Sequence, residues 1–177
     1  TYDTRSSDNY PMRGLYLNAY GNFTPNIMKN NYGFGKAGVD LRAYYCRDTT
    51  RGVVFAFRGL AGKVWGTYPF YEALFLGGAN SLKGYGRERF AGDGLVMAHS
   101  EIRMPVAMVN ILVPGSFGVS VYGGVGRVFY EGEDSKVWHE AYGGSVWVSY
   151  LMRAYNFELS FGKSYEGWTF SVGTAFF

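Results

Sequence analysis

The sequence predicts an all-β fold, and three observations carry the prediction. Tyr, Phe and Gly are abundant together, at 16, 14 and 26 of 177 residues. Aromatics suit pleated surfaces, whereas each Gly weakens a helix by about 1 kcal/mol relative to Ala. Apolar and polar residues alternate with period two through most of the chain, as in strands whose two faces meet different surroundings. Clusters of Pro, Asn, Asp and Gly separate these runs and supply turns.

In order, an opening segment, 1–13, is polar up to Pro11, and alternation starts at Gly14. Leu15, Leu17, Ala19 and Phe23 then face away from Tyr16, Asn18, Tyr20 and Asn22. After the turn residues 24–31, Ala37, Val39, Leu41 and Ala43 oppose Lys36, Gly38, Asp40, Arg42 and Tyr44. After the RDTTRG break, Val53, Phe55 and Phe57 oppose Val54, Ala56 and Arg58. A loop of roughly 30 residues, Trp65 to Gly94, follows; a connection of that length inside a compact domain is usually functional. Beyond it Val96, Ala98, Ile102, Met104 and Val106 oppose His99, Glu101 and Arg103, with a turn expected over Ala107 to Pro114. Phe117, Val119, Val121 and Val125 oppose Ser116, Gly118, Ser120, Tyr122 and Gly124, and the charged stretch Glu131 to Lys136 reads as a solvated loop. Val146, Val148 and Tyr150 oppose Gly143, Ser145, Trp147 and Ser149, with Trp147 a poor fit to a polar face. Tyr155, Phe157, Leu159 and Phe161 oppose Asn156, Glu158, Ser160 and Gly162. Last, Trp168, Phe170, Val172 and Phe176 oppose Thr169, Ser171, Gly173 and Ala175.

These eight runs, with connections at alternating ends, predict a single-domain, eight-stranded antiparallel up-and-down barrel with both termini at one end. Two inverted arrangements fit: a soluble barrel with apolar residues inside, or a transmembrane one with them outside. The polar row carries Lys36, Asp40, Arg42, Arg58, Glu101, Arg103 and Glu158 among many Gly, Ser and Asn. Small residues and charges of both signs suit a narrow interior better than a solvated surface. The apolar row carries no charge over the middle of any strand, and a lipid-facing Arg or Lys there would cost about 2–4 kcal/mol. Aromatics near strand ends, such as Tyr45, Phe129, Tyr130, Trp138, Tyr155 and Trp168, suit interfacial girdles. The transmembrane barrel is the reading the pattern favours.

Net charge is +3, with no Lys/Arg run, so no nucleic-acid partner is implied. Cys46 is the single cysteine, and His99 and His139 are far apart in sequence, so neither a metal nor another cofactor is implied. No apolar run is long enough for a transmembrane helix. The start of the chain lacks the pattern of a targeting peptide. A hydrolase built on His99 with Glu101, or on His139 with Glu140, lacks a nucleophile at diagnostic spacing, so the expectation is a non-enzymatic protein.

Three segments together resemble the C-terminal barrel region of the Omp85 superfamily, which includes the outer-membrane protein assembly factor and two-partner secretion transporters. TYDTRSSDNYPMRG, with Asp3, Arg5, Pro11 and Gly14, resembles the family's periplasmic turn entering a barrel strand. The central stretch resembles its long inward-folding extracellular loop: Gly77, Gly78, then Leu82, Lys83, Gly84 and Tyr85 at the Val/Leu-Arg-Gly-Phe/Tyr tetrad, then Arg87, Arg89 and Phe90. Glu101, Arg103 and Pro105 match its Glu-x-Arg-x-Pro strand. TFSVGTAFF, with Phe170, Val172, Gly173, Phe176 and Phe177, resembles its closing strand and assembly signal.

The resemblance implies a protein of the Gram-negative-type outer membrane, both termini periplasmic, that inserts or translocates polypeptides or lipids. Its implied partners are outer-membrane lipid, the barrel assembly machinery through the last strand, and a polypeptide or lipid substrate; self-association around a wider pore is an open alternative. A small closed anchoring barrel without transport is the alternative. The chain supplies eight strands where full family barrels have sixteen, so it is either the C-terminal half of such a barrel or a compact member. Two departures bear on the loop. Lys83 stands where the family has Arg, and Gly124 where it offers an Asp. With Glu101, Arg103, Asp40, Arg42, Arg58 and Glu158 as wall candidates, the expectation is a weakened lock. Because an eight-stranded interior is filled by side chains, the loop is expected above the barrel and not inside it.

Overall fold

The computed structural model describes residues 1–26, 33–48, 52–111, 113–132, 136–151 and 153–174. In chain order the strands are β1 (Tyr2–Asp3), β2 (Gly14–Thr24), β3 (Gly33–Cys46), β4 (Val54–Thr67), β5 (Leu74–Leu76), β6 (Phe90–Gly92), β7 (Gly94–Ile111), β8 (Val113–Phe129), β9 (His139–Tyr150), β10 (Tyr155–Ser164) and β11 (Gly167–Gly173). Nine of them form one sheet in the order β1-β2-β3-β4-β7-β8-β9-β10-β11, each neighbouring pair antiparallel, and β5 pairs with β6.

The eight expected runs reappear as β2, β3, β4 and β7 to β11, but the described residues form eleven strands, not eight. The extra three have two or three residues each, too short to show a period. A compact eight-stranded barrel requires its first strand to close onto its last, and that closure is not seen among the described residues. Among the described residues β11 pairs only with β10, and the outer edge of β2 is met by the chain's own start, Tyr2 opposite Leu17 and Asp3 opposite Tyr16. Thr4 N–H extends this clip by donating to Leu15 O at 2.9 Å. The expected turn over Ala107 to Pro114 is largely strand, β7 running to Ile111 and β8 starting at Val113. Pro105 is accommodated by a register shift between Pro105 and Ala107, as a residue without an N–H requires.

Alternation decides which face meets which surroundings. On β10 exposed and buried residues alternate without a break. Leu15, Leu17, Val39, Leu41, Phe55, Phe57, Val96, Val121, Val146, Phe157, Leu159, Phe161, Phe170 and Val172 are all exposed, whereas Asp40, Glu101, Arg103 and Glu158 are buried. An apolar belt this extensive marks contact with lipid or protein and not water.

The buried face is covered by two segments. The loop between β4 and β7 brings Leu74, Leu76, Leu82 and Tyr85 against Val64, Leu95, Met97 and Ala141. At the other end the N-terminal segment brings Tyr10 and Met12 against Cys46, Val54 and Trp147. This accounts for the misplaced aromatic: Trp147 faces inward, 1% exposed, with its ring 5.4 Å from that of Tyr10. Gly118 on β8 makes room, since a Cβ there would overlap the indole. Asn9 Nδ2 donates to Ala154 O and Asn156 Nδ2 donates to Asn9 O, tying the segment to β10 and the turn before it. Arg13 donates to the carbonyls of Cys46 and Arg47 at the end of β3.

Candidate functional site

The loop enters from β4, which continues to Thr67 and so claims residues the sequence assigned to the loop. A single 3-10 turn at Phe70–Glu72 leads into β5. At Gly77 and Gly78 the backbone takes φ of +117° and +101°, a region open to Gly at no steric cost. Ser81 N–H donates to Gly78 O at 3.1 Å, and the turn drops Leu82, Lys83, Gly84 and Tyr85 onto the sheet. All four are buried.

Gly84 marks the closest approach. Its φ is +108°, a Cβ on it would lie 2.8 Å from Ala141 Cβ, and a Cβ on Gly162 would lie 2.6 Å from Gly84 Cα. Backbone therefore rests directly on β9 and β10, and the Thr169 hydroxyl of β11 donates to Gly84 O at 3.0 Å.

Beside it Lys83 sits between two wall carboxylates. Its ammonium donates to Glu101 Oε2 at 3.0 Å and to Glu158 Oε1 and Oε2 at 2.8 and 3.0 Å. A lysine has three N–H donors, and this seat supplies three acceptor oxygens. The Lys83, Glu101 and Glu158 side chains are 2%, 0% and 3% exposed. Arg103 Nε donates to Glu101 Oε1 at 3.0 Å, so two acids and two bases form a neutral buried cluster. Lys83 Nζ also lies 5.2 Å from the Tyr122 ring centroid, a favourable placement for a cation.

The expectation of a loop above the barrel is therefore corrected: the loop is seated on the inner face, by Lys83. Charge is balanced because Glu158, on β10, provides the second carboxylate. Gly124 has a positive role. A Cβ there would lie 2.8 Å from His99 Nδ1 and 2.9 Å from Leu82 Cδ1, so a larger side chain would collide with the loop. The expectation that an eight-stranded interior is too narrow assumed a closed barrel, and the sheet among the described residues is not closed.

The remaining wall candidates form a second cluster. Asp40 accepts from Arg42 Nη2 at 2.6 Å and Arg58 Nη2 at 2.8 Å, and Arg58 Nη1 donates to Asn80 O of the loop at 2.6 Å. Lys36 Nζ donates to Glu72 O at 3.1 Å and to Glu72 Oε2 at 3.3 Å, holding the start of the loop. Its far end is held by Arg89, whose Nη2 lies 2.8 Å from Glu166 Oε1 in the β10–β11 turn. Arg87 is not in the seat: it is solvent-exposed and pairs with its neighbour Glu88. Phe170 and Val172 are exposed on β11, and Gly173 lies opposite Glu158. Phe176 and Phe177 fall outside the described residues.

Both histidine rings are stacked on aromatic neighbours. His99, 1% exposed, stacks on Tyr122 with centroids 5.6 Å apart; His139 stacks on Phe90 at 3.7 Å. Sequence reasoning did not identify Ala141, Gly162 and Thr169 as parts of the seat. Their signal was a set of small inner-row residues on consecutive strands, opposite a loop with a glycine at its tip.

An antiparallel sheet with an apolar exposed row, a charged inner row and a long loop ion-paired to that row defines a class of outer-membrane β-barrel proteins. The family model described as the Omp85 superfamily domain matches residues 1–176. The chain belongs to the Omp85 superfamily. Comparison with curated proteins gave no significant match.

Proposed function

We propose that this chain acts in the insertion or translocation of polypeptides or lipids at the outer membrane, with the seated loop as its working element. The observation that carries the reading is the neutral buried cluster of Lys83, Glu101, Arg103 and Glu158, which fixes the loop tip to both β7 and β10. Burying four charged groups is costly unless each is paired and hydrogen-bonded, and a fold that only needed to fill its interior would be served by apolar residues. Both termini lie on the periplasmic side in this proposal, and the last strand, through Phe170, Val172, Gly173, Phe176 and Phe177, is read by the assembly machinery. The protein needs no cofactor and performs no covalent chemistry.

The test is reconstitution into lipid vesicles followed by addition of an unfolded outer-membrane barrel. The wild-type protein should accelerate its insertion, and Lys83→Met should reduce the acceleration at least several-fold. Insertion no faster than into empty vesicles would end the proposal for polypeptide substrates, and lipid transfer between vesicles no faster than without the protein would end it for lipids.

A second reading, an anchoring barrel without transport, is supported by the packing of the N-terminal segment. Tyr10, Pro11 and Met12 are buried across one end of the inner face while the loop covers the other. Conductance in planar bilayers that stays silent in both wild type and Tyr10→Ala favours this reading.

A further inference from the structure

Away from the Lys83 seat, a cleft of about 620 Å3 crosses the loop end of the sheet, within the roughly 300–1,000 Å3 usual for small-ligand sites. Three separate elements wall it: Tyr85 and Phe90 from the loop, Trp138, His139, Glu140 and Tyr142 at the entry to β9, and Lys163 to Glu166 from the end of β10 and the turn after it. The inner part is already organised. Tyr85 Oη donates to Glu140 O at 3.0 Å, the Tyr85 and Phe90 rings meet edge-on at 5.2 Å, and Phe90 stacks on His139. The outer part offers exposed aromatic surface at the rim: Trp138 is 49% and Tyr165 97% exposed.

Charge around the cleft is balanced. Glu166 is ion-paired to Arg89, and the Lys163 ammonium lies 5.5 Å from the Trp168 ring centroid, leaving the Glu140 carboxylate as the opposite sign nearby. Such a lining gives an anion or a cation no net attraction. It suits a neutral molecule with flat apolar faces and hydrogen-bonding edges. A pyranose has that form, with C–H groups across its face to lie on aromatic rings and hydroxyls around its edge to meet a carboxylate and an ammonium.

We propose that this cleft is a saccharide-binding site, with Trp138 and Tyr165 as stacking platforms and Glu140 and Lys163 as hydroxyl-reading groups. Because the loop supplies one wall, a bound sugar bridges the loop to β9 and to the β10–β11 turn. The site is independent of the transport reading, since the cleft is built from packing at the rim.

The test uses the folded full chain in a zwitterionic amine-oxide detergent, which carries no sugar. Maltotriose, cellotriose and chitotriose are titrated by calorimetry and by saturation-transfer NMR, with inorganic phosphate and vesicles of anionic lipid as comparison probes. At least one trisaccharide should bind, and Trp138→Ala with Tyr165→Ala should weaken it at least tenfold. Glu140→Gln should weaken it several-fold, while Tyr71→Ala, an exposed aromatic outside the cleft, should change nothing. Folding of each variant is verified by its unheated gel mobility. If none of the trisaccharides binds the wild type, the proposal fails. It fails equally if binding survives loss of both platforms, or if only phosphate or anionic vesicles show an effect that the cleft variants abolish.

Discussion

Replacing Lys83 with methionine removes the one ammonium that meets both Glu101 and Glu158. Glu101 retains Arg103 at 3.0 Å, but Glu158 loses its ammonium partner and the buried cluster passes from neutral to one net negative charge. Breaking a buried pair by removing one partner costs about 3–5 kcal/mol, and that is the expected loss of stability. Glu158→Gln leaves the cluster with one excess positive charge and should cost about 2–3 kcal/mol. Combined, the two substitutions restore neutrality through the remaining Glu101–Arg103 pair, so their effects should fall short of additivity by about 2–3 kcal/mol. The assay is urea unfolding in lipid vesicles, followed by tryptophan fluorescence and by the fraction that migrates as folded without heating. A coupling below about 0.5 kcal/mol, the range of independent sites, would refute the account of the seat.

Gly124→Asp introduces an acidic residue where the family resemblance offers one, yet here its Cβ would lie within 3 Å of His99 and Leu82; destabilisation of about 1–3 kcal/mol is expected by the same unfolding assay. Arg89→Ala removes an exposed pair with Glu166 and should cost at most about 1 kcal/mol. A larger effect would mean that the rim contact, and not the Lys83 cluster, holds the loop. Tyr10→Ala empties the space beside Trp147 and Cys46; a loss of about 3–5 kcal/mol is expected, together with faster alkylation of Cys46, measured by mass spectrometry.

The strands were legible because a two-solvent strand writes its faces into the sequence with period two. Alternation alone assigns Lys36, Asp40, Arg42, Arg58, Glu101, Arg103 and Glu158 to one row. The loop was legible as a loop, through Gly77, Gly78 and Gly84, but its seat was not. Lys83 and Glu158 are separated by 75 positions, and nothing local to either announces the pairing. Gly124 looked like a lost acidic partner, when its role is the absence of volume opposite Leu82. Trp147 looked misplaced on the polar face because its partner, Tyr10, belongs to a segment without any period. The very short strands β1, β5 and β6 escaped for the same reason.

The central claim is that the loop tip rests on the inner face of the sheet, and the reactivity of a thiol at position 82 measures it most directly. Leu82 is fully buried between the loop and the sheet. Leu82→Cys, in a Cys46→Ser background, should resist a membrane-impermeant maleimide in the folded, membrane-inserted protein and react once the protein is unfolded in urea. Labelling of the folded protein as fast as at the exposed loop position Arg87→Cys would place the loop in solvent and contradict the account.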